Sequence, residues 1–202
     1  VAGEPIDLKR IAELGKEGVL LYMSESTNIE RPGYTMSETV VGTTLDHLFS
    51  ENMNRRMIIA TFASNVHRVQ QIVNAAVANN RKIAVCGRSM INMIETAMKL
   101  GYIDVPDNVF IDIDMIKNYT DEQLTIITTG SQGEAMSALT RMAAGEHKKV
   151  VITPNDLVII SATAIPGNEK LVSKVIDSLM QIGAEVVYSA LADIHVSGHA
   201  CQ

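Results

Sequence analysis

Apolar residues along the chain gather into short runs rich in Val, Ile and Leu, and between those runs they recur every three or four positions instead. The runs are the signature of strands and the spaced stretches that of amphipathic helices. Strands are expected over Val19–Met23, Met57–Phe62, Ile83–Cys86, Leu124–Thr128, Leu157–Ile160 and Glu185–Tyr188. None alternates cleanly between apolar and polar residues, so both faces of their sheet are expected to be covered. Helices are expected over Ser37–Ser50, Asn65–Ala78, Ser89–Leu100, Glu134–Ala144 and Asn168–Ile182, with Gly101, Gly145 and Gly183 placed just beyond three of them to end the last turn. Between Tyr102 and Tyr119 the pattern is least regular; Pro106 and Asp107 mark a turn, and Val109–Ile113 reads as a short edge strand. This alternation predicts an α/β fold, a three-layer αβα sandwich on a Rossmann-like, mainly parallel sheet. No linker rich in Pro, Gly or Ser divides the chain, and residues 1–202 read as a single domain.

At 202 residues the chain is long enough to bury a real core, and its 47% hydrophobic and 20% charged residues exclude a disordered tail or a collagen-like repeat. Its two cysteines, Cys86 and Cys201, form no CxxC pattern, so neither a disulfide framework nor a zinc knuckle is indicated and a reducing, cytoplasmic setting is expected. The formal charge of −6 offers polyanions no general attraction, so a nucleic-acid site has to be local. No apolar run approaches the roughly 18 residues of a membrane span, and the opening VAGEPIDLKR lacks the order of a signal peptide. A first residue of Val1 and a closing stretch, HVSGHACQ, that reads as a motif point to a piece of a longer protein.

In an open parallel sheet ligands bind outside the carboxyl ends of the strands, where helix N-termini present free N–H groups. Five of the segments that follow the expected strands are small and rich in hydroxyls, and they carry Glu25, Ser64, Asn65, His67, Arg68, Arg88 and Ser131. Taken singly, such loops are ordinary helix caps and turns. Together they predict a rim for a phosphate-bearing ligand, with Arg68, Arg88 and Ser131 among its contacts. No GxGxxG or GxxxxGK[ST] motif is present, so dinucleotide and P-loop readings lack support. Glu25 reads either as a turn carboxylate, with Arg31 as a salt-bridge partner, or as the group that orients an imidazole. Of the five histidines, only His195 and His199 are close in sequence, and Gly198 between them argues against a helical zinc pair. His199 on such a loop suits a proton donor or oxyanion partner. The spacing of Met90, Met93 and Met98 is that of core packing, and His147-Lys148-Lys149 that of a solvated turn.

Six blocks in this order resemble the β-CASP domain of the ribonuclease J family, RNA nucleases of the metallo-β-lactamase superfamily. They are SESTNIERPGYTMSE at 24–38, ATFASNVHRVQQ at 60–71, GRSM at 87–90, DEQLTIITTGSQGE at 121–134, IPGNEKLVS at 165–173 and HVSGHA at 195–200. In that family the domain is inserted into a metallo-β-lactamase domain, with RNA in the cleft between them. The resemblance implies that Glu25 is an acidic orienting group and His199 a catalytic histidine near the scissile phosphate. It implies that Phe62, Ser64, Asn65 and His67 touch RNA, with Phe62 stacking on a base, and that Ser197, Gly198 and Ala200 flank His199 in a phosphate-holding loop. It also implies two zinc ions in the parent protein, held by an HxHxDH run that this sequence lacks; none is expected on this chain. Cys201 stands where the family commonly has a small hydroxyl residue, and Glu25 where Asp is frequent.

The reading is therefore the substrate-clamping domain of a cytoplasmic, metal-dependent RNA hydrolase, a 5′-to-3′ exonuclease and endonuclease, inactive when taken alone. Its expected partners are RNA, the metallo-β-lactamase domain of the same parent chain, and further copies of a homo-oligomeric parent, with no membrane. One rival is a stand-alone module that binds a nucleotide or sugar phosphate without catalysis. The other is a purely structural domain whose loops only cap helices.

Overall fold

The structure, a computed structural model, describes residues 6–201. Six strands, β1 (Arg56–Ala60), β2 (Lys82–Cys86), β3 (Phe110–Ile111), β4 (Leu124–Thr128), β5 (Asp156–Ile160) and β6 (Glu185–Tyr188), form one sheet in the order β3-β2-β4-β1-β5-β6. Every pairing is parallel. Every residue of β1, β4 and β5 is buried, which is why these central strands read as continuous apolar runs.

Side chains at successive strand positions leave the sheet on opposite faces. Met57, Ile59, Leu157 and Ile159 pack with Leu45 and Phe49 of α2 (Glu38–Glu51), Ile72 of α3 (Val66–Ala78) and Met90 of α4 (Arg88–Lys99). Ile58, Ala60, Val158 and Ile160 pack with Leu139 of α5 (Ala138–Ala143) and with Val175 and Leu179 of α6 (Glu169–Ile182). Each such fully buried Ile or Leu contributes about 1.5–3 kcal/mol. The result is the three-layer sandwich expected from the sequence. Gly101, Gly145 and Gly183 stand at positive φ, 74°, 72° and 97°, just beyond α4, α5 and α6.

Three elements differ from expectation. The strand expected over Val19–Met23 does not form: the run is irregular, and all five side chains are exposed. Both flanks of the central strand β1 are occupied by β4 and β5, and no neighbouring ladder takes this segment up. Ahead of it lies an amphipathic helix, α1 (Leu8–Glu17), with no buried residue, which the strand-and-helix alternation did not foresee. The expected helix over Glu134–Ala144 shrinks to α5 because the chain passes tightly against α6 first. A Cβ on Gly133, at φ 70°, would stand 2.6 Å from the Leu171 carbonyl carbon, and the helix begins only after its N-cap, Ser137. The edge strand read at Val109–Ile113 is the two-residue β3, paired with β2.

The amino edge of the sheet is tied by two buried arginines. Arg56 meets Asp156 through two hydrogen bonds of 2.7 Å. Arg81 donates to the carbonyls of Asn52, Met53, Arg55 and Leu124 at 2.8–3.1 Å. At the carboxyl edge the chain leaves β1 for α3 on one face and β5 for α6 on the other. A crevice opens between the ends of such adjacent strands.

Candidate functional site

A cleft of about 830 Å³ occupies that crevice. Phe62, Ser64, Asn65 and His67 come to it from the end of β1, Thr163–Pro166 from the end of β5, and His195–His199 from the segment after β6. Thr27, Asn28 and Arg31 close it from the irregular segment that follows Met23.

The loop after β6 is held at both ends. At its root the carbonyl of Ile194, itself fully buried, accepts from Ser161 Oγ at 2.6 Å and from Arg68 Nη1 at 2.7 Å. Near its tip Asn28 Nδ2 donates to Ser197 Oγ and to the His199 carbonyl, both at 3.1 Å, and Thr35 Oγ1 donates to the same carbonyl at 2.7 Å. Ser197 Oγ in turn accepts from the His199 N–H at 3.1 Å. A backbone bridge joins Asn28 to Cys201, whose Sγ lies 3.6 Å from Thr35 Oγ1. The loop beyond β5 is shaped by Gln132, which donates to the Thr163 carbonyl at 2.9 Å and accepts from the Ile165 N–H at 2.7 Å.

This scaffold sets Glu25 Oε2 3.1 Å from His199 Nδ1. Glu25 is anchored by the Thr27 N–H at 2.9 Å. That backbone bond first, the Thr27 hydroxyl next and the His199 charge after them hold the carboxyl below its ordinary range. With Nδ1 committed to a carboxylate, Nε2 is the ring nitrogen available to a ligand. His195 is the second imidazole of the cleft. Its ring centroid lies 6.3 Å from that of Phe62 at an interplanar angle of 55°, and its buried Nδ1 has no hydrogen-bond partner among the described residues. Burial first, then the positive charge of Arg68, lower its pKa against the opposing pull of Glu38. The cleft therefore combines an aromatic pair with a carboxylate-oriented imidazole and hydroxyls. Such a set suits a base next to a phosphate.

The structure brings Glu25, Phe62, Ser64, Asn65, His67, Ser197, Gly198 and His199 to this one cleft, with exposed Ala200 next to His199. It does not bring Arg88 or Ser131. Arg88 heads α4 after β2 and Ser131 is buried after β4, while the cleft lies on the β1–β5 side of the sheet. Arg68, expected as a phosphate contact, is completely buried and bound to Glu38. No ion pair joins Glu25 to Arg31 among the described residues; Glu25 pairs with His199. His47 lies on the surface of α2, and His147 in a turn where Nδ1 accepts the Val150 N–H at 3.0 Å. Thr35 and Glu38 were not foreseen, and Asn28 and Ser161 stood in the expected rim loops without an assigned role, since each acts through a partner distant in sequence; Gln132 carried a signal in its Gly-Ser-Gln-Gly setting.

Among the described residues no group of three or more His, Cys, Asp and Glu could hold a metal ion. The described residues do not fit a zinc pair. No described helix is long and apolar enough to cross a membrane.

Residues 54–179 match the family model described as ribonuclease J, β-CASP domain. The chain is 50% identical over 198 residues to ribonuclease J of Helicobacter pylori, covering 98% of this chain and 29% of that protein. To ribonuclease J of Synechocystis it is 49% identical over 202 residues, covering 100% of this chain and 31% of the relative. To that of Mycolicibacterium smegmatis it is 48% identical over 198 residues, with shares of 98% and 35%. The chain thus spans about a third of the length of the relatives it matches. Resemblance in six short blocks, a matching family model and identity near one half across the chain agree that it belongs to the ribonuclease J family, as its β-CASP domain.

Proposed function

We propose that this chain is the substrate-clamping domain of a larger RNA hydrolase, a 5′-to-3′ exonuclease and endonuclease, and that its cleft holds the nucleotide beside the scissile phosphate. The observation that carries the reading is the Glu25–His199 pair, 3.1 Å apart, in the same cleft as the Phe62–His195 ring pair. A base stacks on Phe62 and the Ser197–Ala200 loop receives a phosphate oxygen. Glu25 keeps Nδ1 of His199 occupied, so that Nε2 is the nitrogen that passes a proton to a phosphate or leaving-group oxygen. Arg31 and His67 also line that cleft.

The zinc pair belongs, in this reading, to polypeptide beyond this chain, and the chain alone does not hydrolyse RNA. The exposed apolar side chains of Leu8, Ile11, Leu20, Leu21 and Met23 support a neighbouring domain of the parent as its partner, because a surface that meets only water rarely leaves so many large apolar side chains bare in one short stretch. The parent is cytoplasmic and homo-oligomeric.

The test is single-turnover cleavage of a 5′-monophosphorylated oligoribonucleotide by the full-length protein. His199→Ala is expected to slow cleavage roughly 10²-fold or more with a smaller effect on affinity, as loss of a general acid does. His147→Ala is expected to match the unaltered protein. Equal rates for the two variants remove His199 from the mechanism, and unchanged rates with lost binding favour the binding-module rival.

A further inference from the structure

We propose that Arg68 is a positioning residue of the cleft, locking the backbone at Ile194 so that the His195–His199 loop presents His199 at its working angle. This rests on the functional reading above. The arginine stands in the first turn of α3, directly behind the cleft-lining His67, yet its side chain is 0% exposed. Nη2 holds both carboxylate oxygens of Glu38 at 2.8 and 2.7 Å. Nη1 donates to the Ile194 carbonyl at 2.7 Å and to Ser161 Oγ, which itself donates to that same carbonyl at 2.6 Å. Nε has no partner.

Glu38 lines the cleft, and Ser161 and Ile194, both fully buried, stand just ahead of the segments that line it. Glu38 opens α2, Ser161 follows β5, and Ile194 precedes His195. The Ile194 carbonyl shares a rigid peptide plane with the His195 N–H, so two donors on that oxygen set the plane from which the loop departs. Asn28 and Thr35 fix the loop only from its far end, at Ser197 and His199. Stability alone is a poor reason for the arrangement. Burying a charged pair costs desolvation, and apolar side chains of similar volume often serve as well or better. What an apolar residue cannot do is orient a carbonyl and tie three rim segments through one planar group. The fork geometry of the guanidinium is also beyond lysine, whose ammonium is a single point of attachment.

Four variants of the full-length protein test this: Arg68→Lys, Ser161→Ala, His199→Ala, and Arg68→Lys combined with His199→Ala. The probe is a 5′-monophosphorylated oligoribonucleotide, with affinity and single-turnover rate measured separately and folding followed by thermal melting. Arg68→Lys is expected to slow cleavage about tenfold or more while affinity stays within roughly threefold, since small misplacements act on the reacting geometry. Ser161→Ala is expected to show a smaller loss in the same parameter. In the His199→Ala background, Arg68→Lys is expected to add no more than about a twofold loss, the non-additivity of residues acting through one another. Multiplicative losses, or a wild-type rate in a folded Arg68→Lys protein, overturn the positioning role and leave the functional reading intact. Should Arg68→Lys not fold, Ser161→Ala decides: an unchanged rate overturns the proposal and a reduced rate at unchanged affinity supports it. A wild-type rate in His199→Ala overturns the functional reading, and the positioning role with it.

Discussion

Gly198 has no protein atom within 4 Å of the point where a Cβ would stand, and its φ is outside the left-handed region. Nothing in the folded chain therefore demands glycine there. Gly198→Ala is expected to leave thermal stability unchanged or to raise it by about 0.4–1 kcal/mol, through a stiffer unfolded chain. If the open space belongs to a ligand, the added methyl overpacks it, and oligonucleotide affinity is expected to fall roughly tenfold or more. Melting and binding of the same variant check both halves. His195 makes a second prediction. Its folded pKa is lowered, so the unfolded chain binds its proton first as pH falls, and stability rises with pH across that interval. The contribution is fully present above the unfolded value of about 6.5 and is lost as pH falls through the folded one. Unfolding by urea between pH 7.5 and pH 5 is expected to show an acid loss that is smaller in His195→Gln. The sequence named Glu25 and His199 as a pair on the premise that a strand precedes Glu25. That premise fails, because Asn28 and not a strand brings the two segments together. It misplaced Arg68 because an arginine after a strand looks the same whether it faces solvent or a carboxylate thirty residues earlier; only Glu38 decides.

Among the elements, β1, β2, β4, β5 and β6 were legible because helices cover both their faces, which leaves uninterrupted apolar runs in the sequence. The same pattern misled at Val19–Met23, where the run is apolar but no described residue covers it. Strand order was not legible at all, and with it went Arg88 and Ser131, since only the order puts β2 and β4 on the far side of β1 from the cleft. The two edges of the sheet differ: buried arginines tie the amino edge, and the cleft opens at the carboxyl edge. Arg81, at the amino edge, satisfies four backbone carbonyls of the turn before β1 and of β4 with one side chain. Arg81→Met leaves those carbonyls unpaired and is expected to cost about 2–4 kcal/mol in chemical denaturation. Oligonucleotide affinity of the folded fraction is expected to be unaltered, because the cleft lies at the opposite edge.

Across the molecule, as many exposed large apolar side chains lie in residues 6–36 as in all the rest of the described chain. A domain that met only water would gain by replacing them. In Leu20→Asp/Leu21→Asp the isolated chain is expected to self-associate less in sedimentation velocity. The same pair in the full-length protein is expected to lower stability by roughly 3 kcal/mol or more, the burial energy of two leucines. An increase in full-length stability would show that the patch faces solvent there too. The bridge between Asn28 and Cys201 bears on how such a parent chain is threaded. Joining the ends of a flexible loop costs about 0.6 kcal/mol for each doubling of its length, so roughly 170 unstructured residues between two neighbouring points would cost a host fold about 3 kcal/mol more than a tight turn. Here the folded cassette meets that cost itself, because its own hydrogen bonds hold residues 28 and 201 side by side. Any polypeptide joined at those two points spans them as it would the two ends of a hairpin.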